Sequence, residues 1–251
     1  MIKLILIPLA LFSVYTCNSP SFAGTGRPPS HGAWDALLMK YVSPQGNVNY
    51  RGFMADSARL NQYLQLLSDN PPNETTWTAD EQKAYWINAY NAFTIQLILK
   101  YYPLPSIKDI GSKIQIPLVN TPWDIKFFVI GKEKMDLNNI EHGILRKNFD
   151  DSRIHFAIVC ASKSCPVLLN EAFIPEKLDA QLDKQPKEFL RDTFRNKITA
   201  DHAQLSKIFD WFKGDFTTKD SLIDYLNQYA PVKINSNAKI SYLEYDWGLN
   251  E

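Results

Sequence analysis

Three stretches of the chain place apolar side chains at helical spacing. In Ala33–Tyr41, Ser57–Leu67 and Lys83–Tyr102 they recur every three or four residues, which is the period of an α-helix. The first two stretches carry one apolar stripe each, as expected for helices lying on a core. The third is apolar over most of its circumference and therefore predicts a central, buried helix.

The start of the third stretch carries a helix-start signal. Thr78 is followed three residues later by Glu81, the capping-box arrangement, and Pro103 ends the pattern. Asn88 and Asn91 lie inside this predicted helix. A buried carboxamide needs hydrogen-bond partners for its donors and its acceptor, so both side chains are candidate functional or structural polar groups.

The pattern changes after Pro105, where runs of β-branched and aromatic residues predict strands. They are Ile114–Ile116 and Ile125–Ile130, the latter entering a hairpin turn at Gly131-Lys132. Arg153–Cys160 alternates apolar and other residues and is the strongest strand prediction. Tyr242–Trp247 is predicted to be a terminal strand that closes the domain. Further helices are predicted at Leu137–Lys147, Ile174–Phe194 and Asp220–Tyr229.

These elements predict a mixed α/β (α+β) fold, with a central buried helix packed on a small mixed or antiparallel sheet. No internal repeat, low-complexity tract or interdomain linker interrupts residues 33–251, so we expect a single domain there. Residues 24–32 are rich in Gly, Pro and Ser and predict a flexible lead-in.

The first 23 residues predict a cleavable signal peptide. Lys3 precedes the apolar run Leu4–Val14, and a small-x-small pattern ends at Ala23, where we place cleavage. The protein is then expected to be periplasmic or secreted, with no membrane attachment after cleavage. Cys17 leaves lipidation as an alternative, although Tyr15-Thr16 before it matches lipidation signals poorly.

Charge excludes one class of partner. The chain has 27 basic and 27 acidic side chains, with no basic stripe, so nothing favours a nucleic acid. The aromatic cluster Phe209–Phe216 could fill a core or stack against a sugar. No cofactor is expected.

The reactive groups concentrate in and after the Arg153–Cys160 segment. Cys165 could be a nucleophile with His142 or His155 as its base, because a thiol needs a nearby imidazole or other cation to become a thiolate. Asn88 would orient that base or donate to the oxyanion. Such a protein would be a thiol hydrolase or acyl transferase acting on amides.

Three other interpretations stay open. Cys160 and Cys165 could form a disulfide, since four intervening residues permit it and an oxidising compartment favours it. The two cysteines with His142 and His155 could hold zinc, although His155 and Cys160 would point to opposite faces of one strand. Finally, these side chains could only pack in the core.

Four ordered motifs resemble the domain-of-unknown-function 547 family, over roughly residues 34–250. Besides these four, the segment Gly46–Tyr50 resembles the opening of the family, although Asn49 stands where the family often has an acid. The four motifs are Lys83–Ala92, Ile140–Arg146, Arg153–Pro166 and Tyr245–Asn250.

The resemblance implies a family and an approximate fold more than an activity. It places seven side chains at family motif positions. The helix-then-strand order also looks similar to papain-like and transglutaminase-like cores, in which the helix start carries the nucleophilic cysteine; here that helix has none. We expect Asn91, Arg146 and Glu141 to bind a small polar ligand or a peptide or cell-wall amide. The motif positions are Asn88, Asn91, His142, Arg146, His155, Cys160 and Cys165.

Overall fold

The computed structural model describes residues 22–111 and 121–251, so the predicted strand Ile114–Ile116 lies outside the described residues. The helices follow the sequence prediction closely. The first part of the chain folds as α1 (Gly32–Tyr41), α2 (Tyr50–Ala55), α3 (Ser57–Asp69) and α4 (Ala79–Tyr101). The second part folds as α5 (Leu137–Ile140), a π-helical segment (Glu141–Leu145), α6 (Arg146–Asn148), α7 (Leu178–Arg191), α8 (Ile208–Trp211), α9 (Lys213–Phe216) and α10 (Leu222–Asn227).

Helix α4 is the central element, as predicted. The Thr78 hydroxyl accepts a hydrogen bond from the Glu81 N–H while the Glu81 carboxylate accepts one from the Thr78 N–H, which completes the capping box. Every residue from Ala84 to Ile95 is buried. The helix is thus covered on all sides and makes contacts with α2, α3 and α5.

The short helix α2 was not predicted from the sequence, and it follows a tight turn at Gly46. The turn is present, with Gly46 at φ +81° and a bridge between Val42 and Val48. Asn49 then caps α2 by accepting a hydrogen bond from the Gly52 N–H. Asn and Asp are about equally good N-cap residues, so Asn49 makes a cap that an acid could also make.

Two small sheets complete the mixed α/β fold that the sequence predicts. Strands β1 (Phe128–Ile130) and β2 (Glu133–Met135) form the predicted hairpin around Gly131, which lies at φ +61°. Strands β3 (Lys197–Ile198), β4 (His202–Leu205) and β5 (Lys239–Tyr242) form the second sheet. Strand β4 pairs antiparallel with β3 and parallel with β5.

The predicted strand at Arg153–Cys160 is wrong. Ser152–Phe156 is a short 3-10 helix, and the chain continues in irregular form to Cys160. Every residue from Ile154 to Val159 is buried, so the alternation in sequence did not reflect two faces with different exposure. The Asp151 side chain accepts from the Arg153 N–H and starts the 3-10 turn.

The C-terminal segment also differs from its prediction. Strand β5 ends at Tyr242, and Tyr245–Asn250 runs in irregular form against the loop that follows Cys160. The lead-in 24–32 is held against the domain, since the carbonyls of Gly24 and Gly26 accept hydrogen bonds from Asn73 and Trp77.

Apolar side chains form two clusters. The larger surrounds α4, and the smaller gathers Phe156 with α8, α9 and α10. Within the described residues no helix combines the length and the hydropathy that a membrane crossing needs.

Candidate functional site

A cavity of about 680 Å³ lies where the two clusters meet. Its wall contains both cysteines, the first turn of the π-helical segment, and the α8–α9 region. One side of the wall is aromatic. The aromatic residues in the lining are Tyr90, Trp123, Trp211, Phe212, Tyr245 and Trp247.

The loop Cys160–Pro166 forms the reactive side of the cavity and is fixed by the C-terminal segment. The Lys163 N–H donates to the Gly248 carbonyl at 2.8 Å, and the Asp246 N–H donates to the Ser164 hydroxyl at 2.9 Å. These bonds join residues more than 80 positions apart. The loop is therefore held in place by tertiary contacts that no local pattern encodes.

Ala161, directly after Cys160, adopts a left-handed backbone conformation with φ +60°. It is the one non-glycine residue with positive φ in the part of the chain that the structure describes. This conformation costs an L-residue about 1–2 kcal/mol. Such strain concentrates at functional sites, where the surrounding structure holds it in place. Here it turns the chain sharply beside the Cys160 thiol.

The Cys160 sulfur is surrounded by three hydrogen-bonding groups. It lies 2.7 Å from the Cys165 sulfur, 3.2 Å from the Ser162 hydroxyl and 3.3 Å from the Tyr245 hydroxyl. Burial raises the pKa of Cys160, but hydrogen bonds from Cys165, Ser162 and Tyr245 favour the thiolate and lower the pKa to about 7. Cys160 is also the more exposed of the two cysteines.

Cys165, the nucleophile that the sequence suggested, has the opposite environment. Its sulfur accepts a hydrogen bond from the Cys160 N–H at 2.9 Å, and the residue is 4% exposed. Burial and the neighbouring Cys160 sulfur raise its pKa well above that of a free thiol. Both cysteines are free thiols in the structure. The two thiols thus share a hydrogen bond in which either sulfur can be the donor, and their surroundings shift their pKa values in opposite directions.

Glu141 is a buried carboxyl group in the cavity wall. It opens the π-helical segment, a helix form that is frequent at functional sites. The Tyr90 hydroxyl donates to its carboxyl group at 3.2 Å. Burial raises the pKa of Glu141 to about 7, outweighing the Tyr90 bond that lowers it, and the nearby Cys160 adds to the increase.

The two histidines of the cavity belong to one charged network. His155 Nε2 lies 2.8 Å from an Asp215 carboxylate oxygen, and Arg146 binds both oxygens of that carboxylate at 2.6 and 2.8 Å. Arg146 also reaches His142 Nδ1 at 3.0 Å. The network therefore runs from His155 through Asp215 and Arg146 to His142.

Neither imidazole hydrogen-bonds to a thiol in the described part of the chain. Burial lowers the pKa of both histidines, and the positive charge of Arg146 lowers them further. His155 is 4% exposed and stacks on Phe212 with ring centres 4.1 Å apart. The predicted pairing of a cysteine with a histidine base is thus not formed as a direct contact.

The structure places Asn88 and Asn91 away from the cavity, in the core. The Asn88 carboxamide donates to the Phe173 carbonyl at 2.7 Å and accepts from the Phe173 N–H at 3.1 Å. Asn91 does the same with the Ala157 carbonyl and the Val159 N–H, both at 2.9 Å. These bonds tie α4 to two irregular segments, and neither side chain lines the cavity.

Several cavity residues were not assigned to a site from the sequence. Tyr245 and Trp247 belong to a segment that was predicted to be a terminal strand, and Trp211 to the cluster Phe209–Phe216, for which core packing and sugar stacking both stayed open. Trp211 is 48% exposed and stacks with Trp247 at 5.7 Å. The motif Tyr245–Asn250 could have identified Tyr245 and Trp247 as site residues. It carries more polar and aromatic residues than a strand that only closes the domain requires.

Within residues 22–111 and 121–251, no three His, Cys, Asp or Glu side chains come together as a group that could hold a metal ion. His155, Asp215 and Arg146 instead satisfy one another. The Cys160 sulfur is within hydrogen-bond distance of the Cys165 sulfur and of two hydroxyl groups.

Comparison with known proteins gives one match. The family model described as "Protein of unknown function, DUF547" matches residues 75–190, from the cap of α4 to the end of α7. No curated protein and no solved structure matches the chain. The matched range contains Glu141, Cys160 and Cys165, while the Asp215 and Tyr245 regions lie beyond it. Residues 75–190 of the chain are therefore similar to the DUF547 family of proteins of unknown function.

Proposed function

We propose that the protein is a thiol-dependent hydrolase or acyl transferase acting on amide substrates, with Cys160 as the nucleophile. The observation that carries this proposal is the position of the Cys160 sulfur in the wall of a large cavity, within hydrogen-bond distance of Ser162, Cys165 and Tyr245. These groups can stabilise a thiolate by donating hydrogen bonds to its sulfur.

In the first step, the Cys160 thiolate adds to the amide carbonyl carbon. An S–C bond forms, and an electron pair moves onto the carbonyl oxygen. When the adduct collapses, the C–N bond breaks and the amine leaves with the proton of the Glu141 carboxyl group. Glu141 suits this role because its pKa of about 7 keeps it half-protonated near neutral pH.

In the second step, water or an acceptor amine attacks the thioester carbon. The Glu141 carboxylate takes a proton from the attacking group, and Cys160 leaves again as a thiolate. The products are an amine and a carboxylic acid, or a new amide when an amine attacks. Cys160 and Glu141 both return to their starting protonation states, so the cycle consumes nothing but its substrates.

An acyl-enzyme experiment tests this assignment. The purified chain is treated with p-nitrophenyl acetate, and its peptides are analysed by mass spectrometry. We expect an acetyl group on Cys160 in the unmodified chain and in Cys165→Ser, and none in Cys160→Ser. Acetylation of Cys165 instead, or of neither cysteine, would refute Cys160 as the nucleophile.

The aromatic side of the cavity supports a second candidate function, a non-catalytic binding module. Trp211, Tyr245 and Trp247 pack with ring centres 4.6 to 5.7 Å apart and face a cavity large enough for a small ligand. Flat apolar faces of this kind suit the ring of a sugar or an aromatic group. Quenching of tryptophan fluorescence by N-acetylglucosamine oligosaccharides, with no acetyl transfer to Cys160, would favour binding alone.

We also propose that the protein is exported to the periplasm or secreted, with its free thiols kept reduced for activity. The support is the charged start, apolar run and small residues of the first 23 residues. Sequencing the N-terminus of the protein from its native host tests this, with Gly24 as the expected first residue. Titrating the thiols with and without reductant tests the alternative, a Cys160–Cys165 disulfide.

A further inference from the structure

The bond between Arg146 and His142 determines which nitrogen of the imidazole carries the proton. A guanidinium group has donors and no acceptor, and it stays protonated in proteins. Because Arg146 Nη1 lies 3.0 Å from His142 Nδ1, that nitrogen must accept the hydrogen bond through its lone pair. A neutral imidazole with an unprotonated Nδ1 carries its proton on Nε2. His142 is therefore a neutral ring with an Nε2–H donor.

The Arg146 guanidinium is itself fixed. Its Nε and second terminal nitrogen bind the two carboxylate oxygens of Asp215 in the bidentate geometry that gives strong, directional pairs. Asp215 is held in turn by His155, whose side chain is 2% exposed. The remaining terminal nitrogen of Arg146, Nη1, is thus held in a fixed position facing His142.

The same bond prevents His142 from acting as a base. A proton taken by the ring would have to occupy Nδ1, facing the Arg146 guanidinium, and the two positive groups would repel each other. Burial already lowers the pKa of His142, and the charges of Arg146 and His155 lower it further. The opposing charges, Asp215 and Asp124, raise it less. A role for this ring in catalysis must use the Nε2–H as a donor.

We infer that His142 stabilises the oxyanion of the thiol reaction by donating its Nε2–H, with Arg146 and Asp215 as positioning residues. This inference rests on the proposed function, since the oxyanion forms only when Cys160 attacks a carbonyl. Its support is that His142 and Cys160 line the same cavity and that, in the described part of the chain, no group is bonded to His142 Nε2. A neutral donor suits the task because it need not be ionised beforehand.

One test determines the tautomer of His142 without measuring any activity. Nitrogen-15 chemical shifts of the histidine rings distinguish protonated from unprotonated ring nitrogens in the purified chain. We expect His142 to show a protonated Nε2 and an unprotonated Nδ1 throughout the neutral range. An Nδ1–H tautomer, or an imidazolium at neutral pH, would overturn the inference even if Cys160 is the nucleophile.

A second test separates the oxyanion from the thiolate. Iodoacetamide alkylates a thiolate by direct displacement and forms no oxyanion, whereas p-nitrophenyl acetate forms one. We expect His142→Ala to lower the acetylation rate of Cys160 by about 10²-fold, the usual loss for one oxyanion donor, with the alkylation rate unchanged. His142→Gln, which keeps an N–H donor, should recover part of the loss, and His202→Ala serves as the histidine control.

The outcomes distinguish the two levels of the proposal. An equal fall in alkylation and acetylation would mean that His142 acts on the thiolate or on folding, and no fall in either would mean that it has no role; both overturn the inference. If Cys160→Ser leaves acetylation unchanged, the proposed nucleophile fails, and the nitrogen-15 result still decides the His142 tautomer separately.

Discussion

Two sets of polar groups, one within helix α4 and one in the cavity wall, differ in how completely their hydrogen bonds are satisfied. Asn88 and Asn91 each give and receive one hydrogen bond with a backbone segment in the core. In the cavity wall, the Glu141 carboxyl group has one hydroxyl partner, and Cys160 is half-buried.

This difference distinguishes polar groups that hold the fold together from polar groups that are available to a ligand. A buried carboxamide bonded at both ends fixes two chain segments and leaves nothing for a ligand. A buried acid or thiol that faces a cavity, with its pKa moved towards neutrality, has a proton to exchange with a substrate. Residue type alone had suggested Asn88 as a catalytic group; its complete set of bonds makes it part of the scaffold instead.

The largest effect on stability is expected from Asn91→Ala. The substitution would leave the Ala157 carbonyl and the Val159 N–H buried without partners, which should cost about 4 kcal/mol at roughly 2 kcal/mol for each group. Urea denaturation measures this loss. Asn235→Ala on the surface is the matched control and should change the free energy of unfolding by less than about 0.5 kcal/mol. A similarly small change for Asn91→Ala would place that side chain outside the scaffold.

In contrast to Asn91→Ala, the substitution Glu141→Gln should increase the free energy of unfolding, and the increase should depend on pH. The pKa of Glu141 is raised from 4.5 to about 7 in the folded protein, so the unfolded chain loses this proton first as pH rises. Stability therefore falls between those values, by about 3 kcal/mol at 1.36 kcal/mol per pKa unit. The glutamine variant should be more stable than the original protein above about pH 7 and gain nothing at about pH 4. Equal effects at both pH values would contradict the raised pKa.

A smaller loss, about 1–2 kcal/mol, is expected from Asp215→Asn, because a charge-assisted bidentate pair at a partly exposed site is lost. Arg146 and His155 lower the pKa of Asp215, so this contribution is present above the unfolded pKa of 3.8 and disappears as pH falls below it. Thermal unfolding of both proteins at neutral and acid pH checks this. A difference that persists in acid would exclude the ion pair as its source.

Trp211→Ala should change stability least, because the indole is nearly half exposed. We expect a loss of about 1 kcal/mol, because the ring contacts with Tyr245 and Trp247 contribute about 0.5 kcal/mol each. If the aromatic wall binds ligand, the same variant should lose most of the fluorescence response to N-acetylglucosamine oligosaccharides. Phe194→Ala, at an exposed aromatic residue outside this cavity, is the control.

Helices could be predicted where local sequence signals agree with the tertiary contacts that the segment makes. The capping box at Thr78 and the apolar circumference of the following stretch sufficed to place α4 and its burial. The segment Arg153–Cys160 was mispredicted because both of its faces are buried, so that alternation carried no information about exposure. Long-range bonds from Asn91 fix its irregular path.

For the candidate site, the sequence singled out several residues that the structure brings to one cavity, but not the contacts that they make. Glu141, His142, Arg146 and His155 do lie together around the cavity or its network. The lowered pKa of Cys160 depends on Ser162, a near neighbour, and on Tyr245, 85 positions away. Asp215, which hydrogen-bonds to both His155 and Arg146, comes from a segment in which the sequence analysis considered only the aromatic residues.

The pH profile of iodoacetamide alkylation, resolved by cysteine, tests most directly whether Cys160 is held as a thiolate. We predict that Cys160 is modified first, at a rate that rises with pH and is half-maximal near pH 7, because only the thiolate reacts. Cys165 should stay unmodified over the same range. Faster modification of Cys165, or a Cys160 midpoint at or above the ordinary thiol value of about 8.5, would contradict the thiolate site.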